Sequence, residues 1–461
     1  MRVGNKNLFP LAGMVILIAS IGLSWYSVLL TIHGFRIFLP EIILFLFGLI
    51  GVPYLLLQRG RIEIRYLVWP VVILGLMVIS SALSLKPLVS FKETLRWGEL
   101  FLAFFLALNF SWTAKEVKAI LIVVIVLGIL QALWGIKLLN SGASAGRLVS
   151  GYFDNANQMA LCLDLSLVLT VAFFLGTRDF WWKIWWIYCF IFLGVSLFLT
   201  RSRGAELSNV FLLMLFSLAL LYQKTGKQVC MGILRTTGSI FFRGVIILFF
   251  PLLLFVSFAP GSTERLLTKS LPEMDDALRS RLYYYTIGFR IIEDFPLFGV
   301  GGNLYKEVAP YYIPSYTPKD YVETLQKYEL HNFYITIAAE NGILTFMAFL
   351  FFLHAVGKDV FSSLLSLNGE RFWLLAGAGG SALAWLLHNL VDEGFSFTAI
   401  QWGILLGLAV SMKGIEPQIE KGRQGKKANQ GKINGAFEHR ASWHIPFATV
   451  QPMRPHETLI D

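Results

Sequence analysis

The sequence predicts an all-α integral membrane protein with about 12 transmembrane helices and one large extracytoplasmic loop. Of the 461 residues, 56% are hydrophobic and only 15% are charged, and the mean hydropathy is +0.63. Soluble domains contain about a quarter charged residues. The 13 Trp, 16 Tyr and 39 Phe residues suit membrane interfaces and lipid-facing surface.

Each predicted transmembrane helix corresponds to a long apolar run in the sequence. A helix that crosses the hydrocarbon core needs about 20 apolar residues. The first run is too long for the core of a signal peptide, so we interpret it as a retained span. The predicted spans are 8–30, 37–57, 66–84, 97–112, 117–138, 158–175, 181–199, 204–222, 241–259, 332–356, 372–391 and 396–412.

The charges of the loops predict the orientation. With a cytoplasmic N-terminus, fifteen Lys and Arg residues fall on inside loops and eight on the short outside loops. Cytoplasmic loops carry an excess of Lys and Arg, so both termini are predicted to be cytoplasmic. The organisation we expect is spans one to five in 1–138, a second transmembrane region with the loop 260–330 in 139–412, and a polar basic cytoplasmic tail in 413–461.

The net charge of +10 and the three cysteines exclude some classes of function. Eight Lys and Arg residues lie in the tail, where they favour attraction to anionic lipid over binding of nucleic acid. Cys162, Cys189 and Cys230 have neither a disulfide pattern nor metal-ligand spacing. The bilayer is therefore an expected partner and nucleic acid is not.

The loop 260–330 has its own predicted structure. Ser270 to Glu273 has the pattern of a capping box, and apolar residues then recur every three or four positions. We expect an amphipathic helix that ends near Asp294, followed by a glycine-rich turn at 296–303.

Two polar segments on the outward side adjoin the central spans. In the first, 151–157, Asn157 could simply be the N-cap of the sixth span, or the segment could pack around a polar substrate. In the second, 200–204, Arg201 and Arg203 could extend to lipid phosphates, or they could form an anion site at the start of the eighth span.

Two further segments carry residues that could do chemistry. Arg281 lies on the predicted loop helix, where arginines are often solvated surface. His331 and Asn332 open the tenth span, and a histidine at the mouth of a membrane helix is a functional candidate. On a continuous helix Gly342, eleven residues later, would lie within roughly 20° of the face of His331.

These four segments, in this order and spacing, resemble the superfamily of O-antigen ligases and O-antigen polymerases, which are glycosyltransferases of the bacterial envelope. The family pattern near the C-terminal end is His, then Asn, Ser or Gln, nine residues, Gly, two residues, and Gly, Thr or Tyr. Its matches are His331, Asn332, Gly342 and Thr345. Arg203 resembles the arginine of a Ser-Arg-Gly segment, and Arg281 resembles the arginine that precedes a Pro-Leu-x-Gly-Val-Gly turn. An upstream Gly-x-Phe-x-Asn-x-Asn segment is matched by Gly151, Phe153, Asn155 and Asn157.

The resemblance implies a GT-C-like membrane fold in the bacterial inner membrane and an extracytoplasmic active site. It implies a glycan donor linked to polyprenyl (undecaprenyl) pyrophosphate, a glycan or lipid-linked acceptor, and inversion at the anomeric carbon. The implied catalytic residues are His331, Arg281 and Arg203. The implied substrate-binding residues are Arg201, Asn332, Asn155, Asn157 and Gly342.

The residues also suggest how such a reaction would run. Arginines can stabilise the charge of a departing pyrophosphate without a metal, and an imidazole that titrates near neutral pH can position or deprotonate an acceptor hydroxyl. The outward loops contain no Asp-x-Asp motif and no acidic cluster with metal-ligand spacing, so we expect no metal and no cofactor.

Several alternatives stay open at this point. The acceptor could be a lipid A core (a ligase) or the growing chain (a polymerase), with a protein hydroxyl as a third choice. A small-anion transporter would also use arginines, although transporters usually have repeated halves with broken helices near the midplane. A scaffold for polysaccharide export would leave the outward arginines without a role.

Charged residues near the spans complete the expectations. Glu41, Glu99, Asp164, Glu206 and Glu340 should face protein or water, because exposure to lipid is costly. Asp392 and Glu393, beside His388, could contact an acceptor sugar or form a solvated turn. The repetition of His331-Asn332 in His388-Asn389 is interpreted as chance.

Overall fold

The computed structural model describes residues 8–23, 28–32, 35–58, 62–141, 156–225, 276–392 and 398–414. The chain divides into two units at Lys413, and the fold described below is that of the first. The described residues are almost wholly helical, which confirms the predicted all-α class. The predicted span 241–259, the capping box at Ser270 and the basic tail after residue 414 lie outside the described residues.

The first described region contains five helices and one hairpin. Its elements are α1 Leu8–Leu23, β1 Val28–Ile32, β2 Phe35–Phe38, α2 Leu39–Leu57, α3 Val68–Leu83, α4 Pro87–Asn109 and α5 Ala114–Asn140. The strands pair antiparallel, with Thr31 opposite Arg36. The predicted first span, 8–30, is therefore wrong at its C-terminal end. Its last residues are β-branched or apolar and pair with the following strand, a context that favours extended chain.

The remaining described helices follow in two groups. The first group is α6 Ala156–Gly176, α7 Phe180–Thr200 and α8 Arg203–Thr225. The second is α9 Asp276–Asp294, α10 Tyr305–Val308, α11 Lys319–Lys327, α12 Phe333–Ser366, α13 Gly369–His388 and α14 Thr398–Ser411. The predicted end of the loop helix at Asp294 is correct.

Six of the described helical segments are long and apolar enough to cross a membrane. They are Leu39–Leu57, Arg65–Leu83, Ala114–Asn140, Ala156–Gly176, Phe180–Thr200 and Phe333–Ser366. Shorter apolar helices occur at Leu8–Ile21, Gly204–Ser217 and Thr398–Ser411. A membrane protein is therefore confirmed, whereas the number of twelve spans stays a prediction. The helix that overlaps the fourth predicted span, α4, begins at Pro87, because proline is favoured in the first turn of a helix.

An aromatic core connects the helices beneath the start of α12. The ring of Phe333 stacks on Trp97 of α4 at 5.9 Å and lies edge-on to Trp385 of α13 at 5.1 Å. Trp385 in turn stacks on Trp402 of α14 at 4.8 Å. These large buried rings hold the first residue of α12 in a fixed position.

Small residues allow α14 to approach α4 closely. A Cβ atom at Gly403 would lie 2.5 Å from the carbonyl oxygen of Leu100, and one at Gly407 would lie 2.5 Å from that of Phe104. Such contacts between small residues and a neighbouring backbone are typical of membrane helices. The bundle end that carries the start of α12 is thereby tied to α4 and α14.

The opposite end of the bundle has a polar cluster around Asp359, near the C-terminal end of α12. Its carboxylate accepts a hydrogen bond from Tyr66 and forms ion pairs with Arg65 and Lys413. We call this the Asp359 end and the opposite one the His331 end.

Candidate active site at the His331 end

The start of α12 is fixed by a network of hydrogen bonds around Asn332. Its side-chain oxygen caps the helix by accepting from the backbone N–H groups of Tyr334 and Ile335, both at 3.0 Å. Its amide nitrogen donates to the carbonyl oxygen of Leu390 at 2.7 Å. Asn332 therefore joins the first turn of α12 to the segment that follows α13.

His331 precedes the helix instead of lying on it. Its φ angle is 55°, in the left-handed region, and α12 begins at Phe333. The prediction that His331 and Gly342 share one helix face is therefore wrong. Helix periodicity applies only within a helix, and the cap at Asn332 turns the chain before the helix starts.

The imidazole of His331 lies between an aromatic ring and a carboxylate. Its Nδ1 is 3.2 Å from Oδ1 of Asp392, and its ring meets that of Tyr284 edge-on at 5.2 Å. The side chain of His331 is 26% exposed. When Nδ1–H donates to Asp392, Nε2 is the ring nitrogen that can accept a proton.

Asp392 is more deeply buried than its position at the end of a predicted span suggests. It is only 4% exposed, so the alternative of a solvated turn is wrong. Burial raises the pKa of this carboxyl, but the hydrogen bond with His331, the close approach of His388 and the charges of these rings outweigh burial, and the pKa falls below its usual range. Glu393 lies outside the described residues.

The loop helix α9 brings Arg281 to the same place. The half-buried side chain of Tyr285, one turn after Arg281, is hydrogen-bonded to Asn332. Burial raises the pKa of Tyr285, while Asn332 and the positive charge of Arg281 lower it and Asp392 raises it further. The charges of Arg281 on α9 and of Asp392 in the connection between α13 and α14 therefore both act on the hydroxyl of Tyr285.

Glycine allows α9 to pack tightly against the start of α12. A Cβ atom at Gly288 would lie 2.5 Å from Cδ1 of Leu330 and 2.8 Å from Cγ2 of Ile335. The close approach fixes the distance between the arginine-bearing helix and the histidine.

The turn after α9 and a break in α12 form a second connection, which we call the glycine clamp. Gly342 has φ 83° and ψ 164°, and a Cβ atom there would lie 2.0 Å from the carbonyl oxygen of Leu297. The N–H of Ile343 donates to the carbonyl oxygen of Pro296 at 2.8 Å. Gly342 is buried in this contact, which gives it a packing role.

Glu340 completes the glycine clamp. Its carboxylate accepts from the N–H groups of Asn303 at 2.7 Å and Tyr305 at 2.9 Å. Its backbone carbonyl accepts from the N–H of Gly301 at 2.7 Å. The expectation that Glu340 faces protein instead of lipid is confirmed.

The segment before α8 lies against the same connection. Arg201 is exposed and has a left-handed φ of 57°. A Cβ atom at Gly204 would lie 2.8 Å from Cγ2 of Val391 and 3.4 Å from Cδ2 of His388. Arg203 is the first residue of α8, but its side chain lies outside the description.

The upstream segment contributes less to the described site. Gly151, Phe153 and Asn155 lie outside the described residues. Asn157 is the second residue of α6, so the interpretation of Asn157 as the N-cap is wrong.

A buried histidine between two carboxylates extends the site inward. Nδ1 of His388 is 3.7 Å from Oδ2 of Asp164, and its Nε2 is 3.9 Å from Oδ2 of Asp392. The hydroxyl of Ser208 donates to Asp164. The residues Ser208, Asp164, His388, Asp392 and His331 therefore form a continuous polar chain from α8 to the start of α12.

Sequence reasoning missed this chain, although one signal pointed to it. The repeated His-Asn pair was dismissed as chance, yet the N–H of Phe333 donates to the carbonyl oxygen of Asn389 at 3.1 Å. The two pairs lie side by side. Among the residues that the structure describes, no group of three or more His, Cys, Asp or Glu is arranged to hold a metal ion.

A comparison with protein families identifies the region that contains most of these residues. The model of the O-antigen ligase family matches residues 188–350. Residues 188–350, which we call the O-antigen ligase region, are therefore similar to this family. The match confirms the predicted resemblance and extends from α7 through the glycine clamp. No curated protein matches the chain.

The O-antigen ligase region includes some of the candidates and excludes others. Within it lie Arg201, Arg203, Arg281, His331, Asn332 and Gly342. Asp392 and His388, which contact the His331 site, lie beyond its C-terminal limit, and Asp164 lies before its start.

Proposed function

We propose that this protein is an O-antigen ligase-like glycosyltransferase that moves a glycan from polyprenyl pyrophosphate to an acceptor. The proposed place is the extracytoplasmic face of the bacterial inner membrane, with both termini cytoplasmic. The observation that carries the proposal is the meeting of His331, Asp392 and the Arg281-bearing helix at one end of the bundle.

The proposed reaction is a direct displacement at the anomeric carbon. The acceptor hydroxyl attacks this carbon from the face opposite the pyrophosphate, so its configuration inverts. The new C–O bond forms as the bond to the pyrophosphate breaks, and Nε2 of His331 takes the hydroxyl proton. Asp392 holds the ring and stabilises the imidazolium that results, as an oriented carboxylate does beside a catalytic histidine.

Arginine side chains would supply the positive charge that stabilises the departing pyrophosphate. The guanidinium of Arg281 would bind the departing pyrophosphate in a fork of hydrogen bonds. Arg203 is proposed to act with it, and Arg201, Asn332, Asn155 and Asn157 to contact the substrates. Gly342 would act through the glycine clamp, because it is buried against Leu297.

Reconstitution with a labelled lipid-pyrophosphate glycan and candidate acceptors tests this proposal. The expected product is the glycan joined to a lipid A core. Extension of the lipid-linked chain would instead identify a polymerase. His331→Ala and Arg281→Ala should abolish transfer, whereas His354→Ala, at an exposed position further along α12, should not. Normal transfer by both site variants would contradict the mechanism.

A chelator tests the proposal that transfer requires no metal ion. Transfer should continue in EDTA, because guanidinium groups carry the stabilising charge in the proposed reaction. Loss of transfer in EDTA with recovery on adding a divalent ion would overturn the metal-independent mechanism.

A further inference from the structure

His388 is buried where neither a substrate nor lipid reaches it. The residue is 1% exposed, and both ring nitrogens face carboxylates, with Asp164 on one side and Asp392 on the other. Asp164 is itself fully buried and lies on α6, far from His388 in the sequence. Burial of two carboxylates is costly unless a positive charge lies between them.

The positions of the two carboxylates favour a positive charge on this ring. A neutral imidazole carries one N–H and can donate to one carboxylate only, whereas an imidazolium carries an N–H on both nitrogens. Because carboxylates lie 3.7 Å from Nδ1 and 3.9 Å from Nε2, this arrangement favours the imidazolium form of His388.

Asp392 divides its two oxygens between two histidines. Oδ1 lies beside His331, and Oδ2 lies beside His388. A cation at Oδ2 reduces the negative potential that the same carboxylate exerts through Oδ1. The buried ring is thus coupled to the exposed one without touching it.

We propose that His388 is a positioning residue for His331, an inference that rests on the proposed function. As an imidazolium between Asp164 and Asp392, it holds the Asp392 carboxylate in place and weakens the attraction of that carboxylate for a proton on His331. Without His388, Asp392 would attract a proton on His331 more strongly, and this ring is the one proposed to take the proton of the acceptor hydroxyl.

The groups around His388 come from each element that packs against it. Asp164 comes from α6, Asp392 from the connection after α13 and His331 from the residue before α12. From α8, the uncharged groups are the Ser208 hydroxyl on Asp164 and the backbone of Gly204 against the ring. On the far side of Asp392, α9 contributes Tyr285 and the charge of Arg281.

Chemical modification measures this coupling independently of glycan transfer. Diethyl pyrocarbonate modifies unprotonated imidazole, so its rate at His331 against pH, followed by mass spectrometry, gives the pH midpoint of that ring. In His388→Gln and His388→Asn the uncompensated Asp392 should shift the midpoint upward by about half a unit or more. His354→Gln is the matched control and should leave it unchanged.

Kinetics provide the second measurement. At neutral pH the His388→Gln variant should lose kcat by up to about threefold for each half unit of upward shift, with recovery at alkaline pH and a donor KM within about twofold of wild type. An unchanged midpoint in both variants would overturn the proposal. A downward shift would also overturn it, because it would mean that Asp392 has moved away. If the wild type transfers no glycan, the proposed function fails, but the modification profile still decides the role of His388.

Discussion

At the scale of single residues, His331 is oriented by what surrounds it and not by a helix. Asp392 binds its Nδ1, Tyr284 packs against its ring, and the Asn332 cap sets its backbone. The left-handed φ of 55° is uncommon for a residue with a Cβ atom and persists only when neighbours hold it. These contacts hold the ring in place while the side chain stays 26% exposed.

The Asp392→Asn variant tests the carboxylate at the centre of these contacts. Because the folded-state pKa of Asp392 lies below its unfolded value of about 3.9, its charge stabilises the fold above that pH, and this stability is lost as the pH falls through the folded value. The wild type should therefore have the higher melting temperature in detergent at pH 7, and the difference should narrow below about pH 4. A difference that stays constant with pH would contradict the assigned charge.

At the scale of elements, the glycine clamp connects α9, the following turn and α12. Gly342 is the point where a side chain cannot be accommodated, since a Cβ atom would lie 2.0 Å from a carbonyl oxygen and φ is 83°. The carboxylate of Glu340 binds the other end of the turn. The clamp therefore sets where α9 places Arg281 relative to the start of α12.

Two glycine variants on α12 distinguish the packing role of the glycine clamp from the general effect of replacing a helical glycine by alanine. Gly342→Ala should lower the melting temperature and reduce transfer, because the turn that contains Leu297 must move away from α12. Gly357→Ala meets nothing within 4 Å and should be neutral or stabilising by up to about 1 kcal/mol. Equal behaviour of the two variants in thermal unfolding would contradict the clamp.

These elements also indicate what could be predicted from the sequence. The end of α9 at Asp294 and the glycine turn were predictable, because periodicity and turn residues act locally. The break at Gly342 was not, because it depends on a contact with a turn that lies more than forty residues earlier in the chain. The sequence motifs indicated Gly342 and the turn at 296–303 separately, but they did not indicate that the two are in contact.

The catalytic neighbourhood was predicted only in part for the same reason. His331 and Arg281 were selected from the sequence, whereas the partners of His331 come from distant positions. Asp392 follows it by 61 residues, and Asp164 precedes His388 on another helix. A solvated turn and a buried ion pair have the same local sequence, so only the tertiary fold distinguishes them.

At the scale of the whole molecule, the two ends of the bundle differ in chemistry. The His331 end holds His331, the buried His388, the carboxylates beside these two rings, and Arg281. The Asp359 end holds ion pairs with Arg65, Lys413 and, between α5 and α13, Lys118 with Glu370. An excess of Lys and Arg on cytoplasmic loops predicts that the Asp359 end faces the cytoplasm and the His331 end faces outward.

Labelling of single cysteines tests this orientation. In a variant without Cys162, Cys189 and Cys230, exposed Lys319 on α11 and exposed Arg178 before α7 are each replaced by cysteine. A membrane-impermeant maleimide should label position 319 in intact spheroplasts and position 178 only after permeabilisation. The reverse pattern would place the proposed active site on the cytoplasmic side.

The most direct test of the account is whether a lipid pyrophosphate protects His331 from diethyl pyrocarbonate in the purified protein. Polyprenyl pyrophosphate should slow modification of His331 but not of His354, and Arg281→Ala should abolish this protection while the protein stays folded. Equal modification of His331 with and without the lipid pyrophosphate would mean that no diphosphate binds beside this ring.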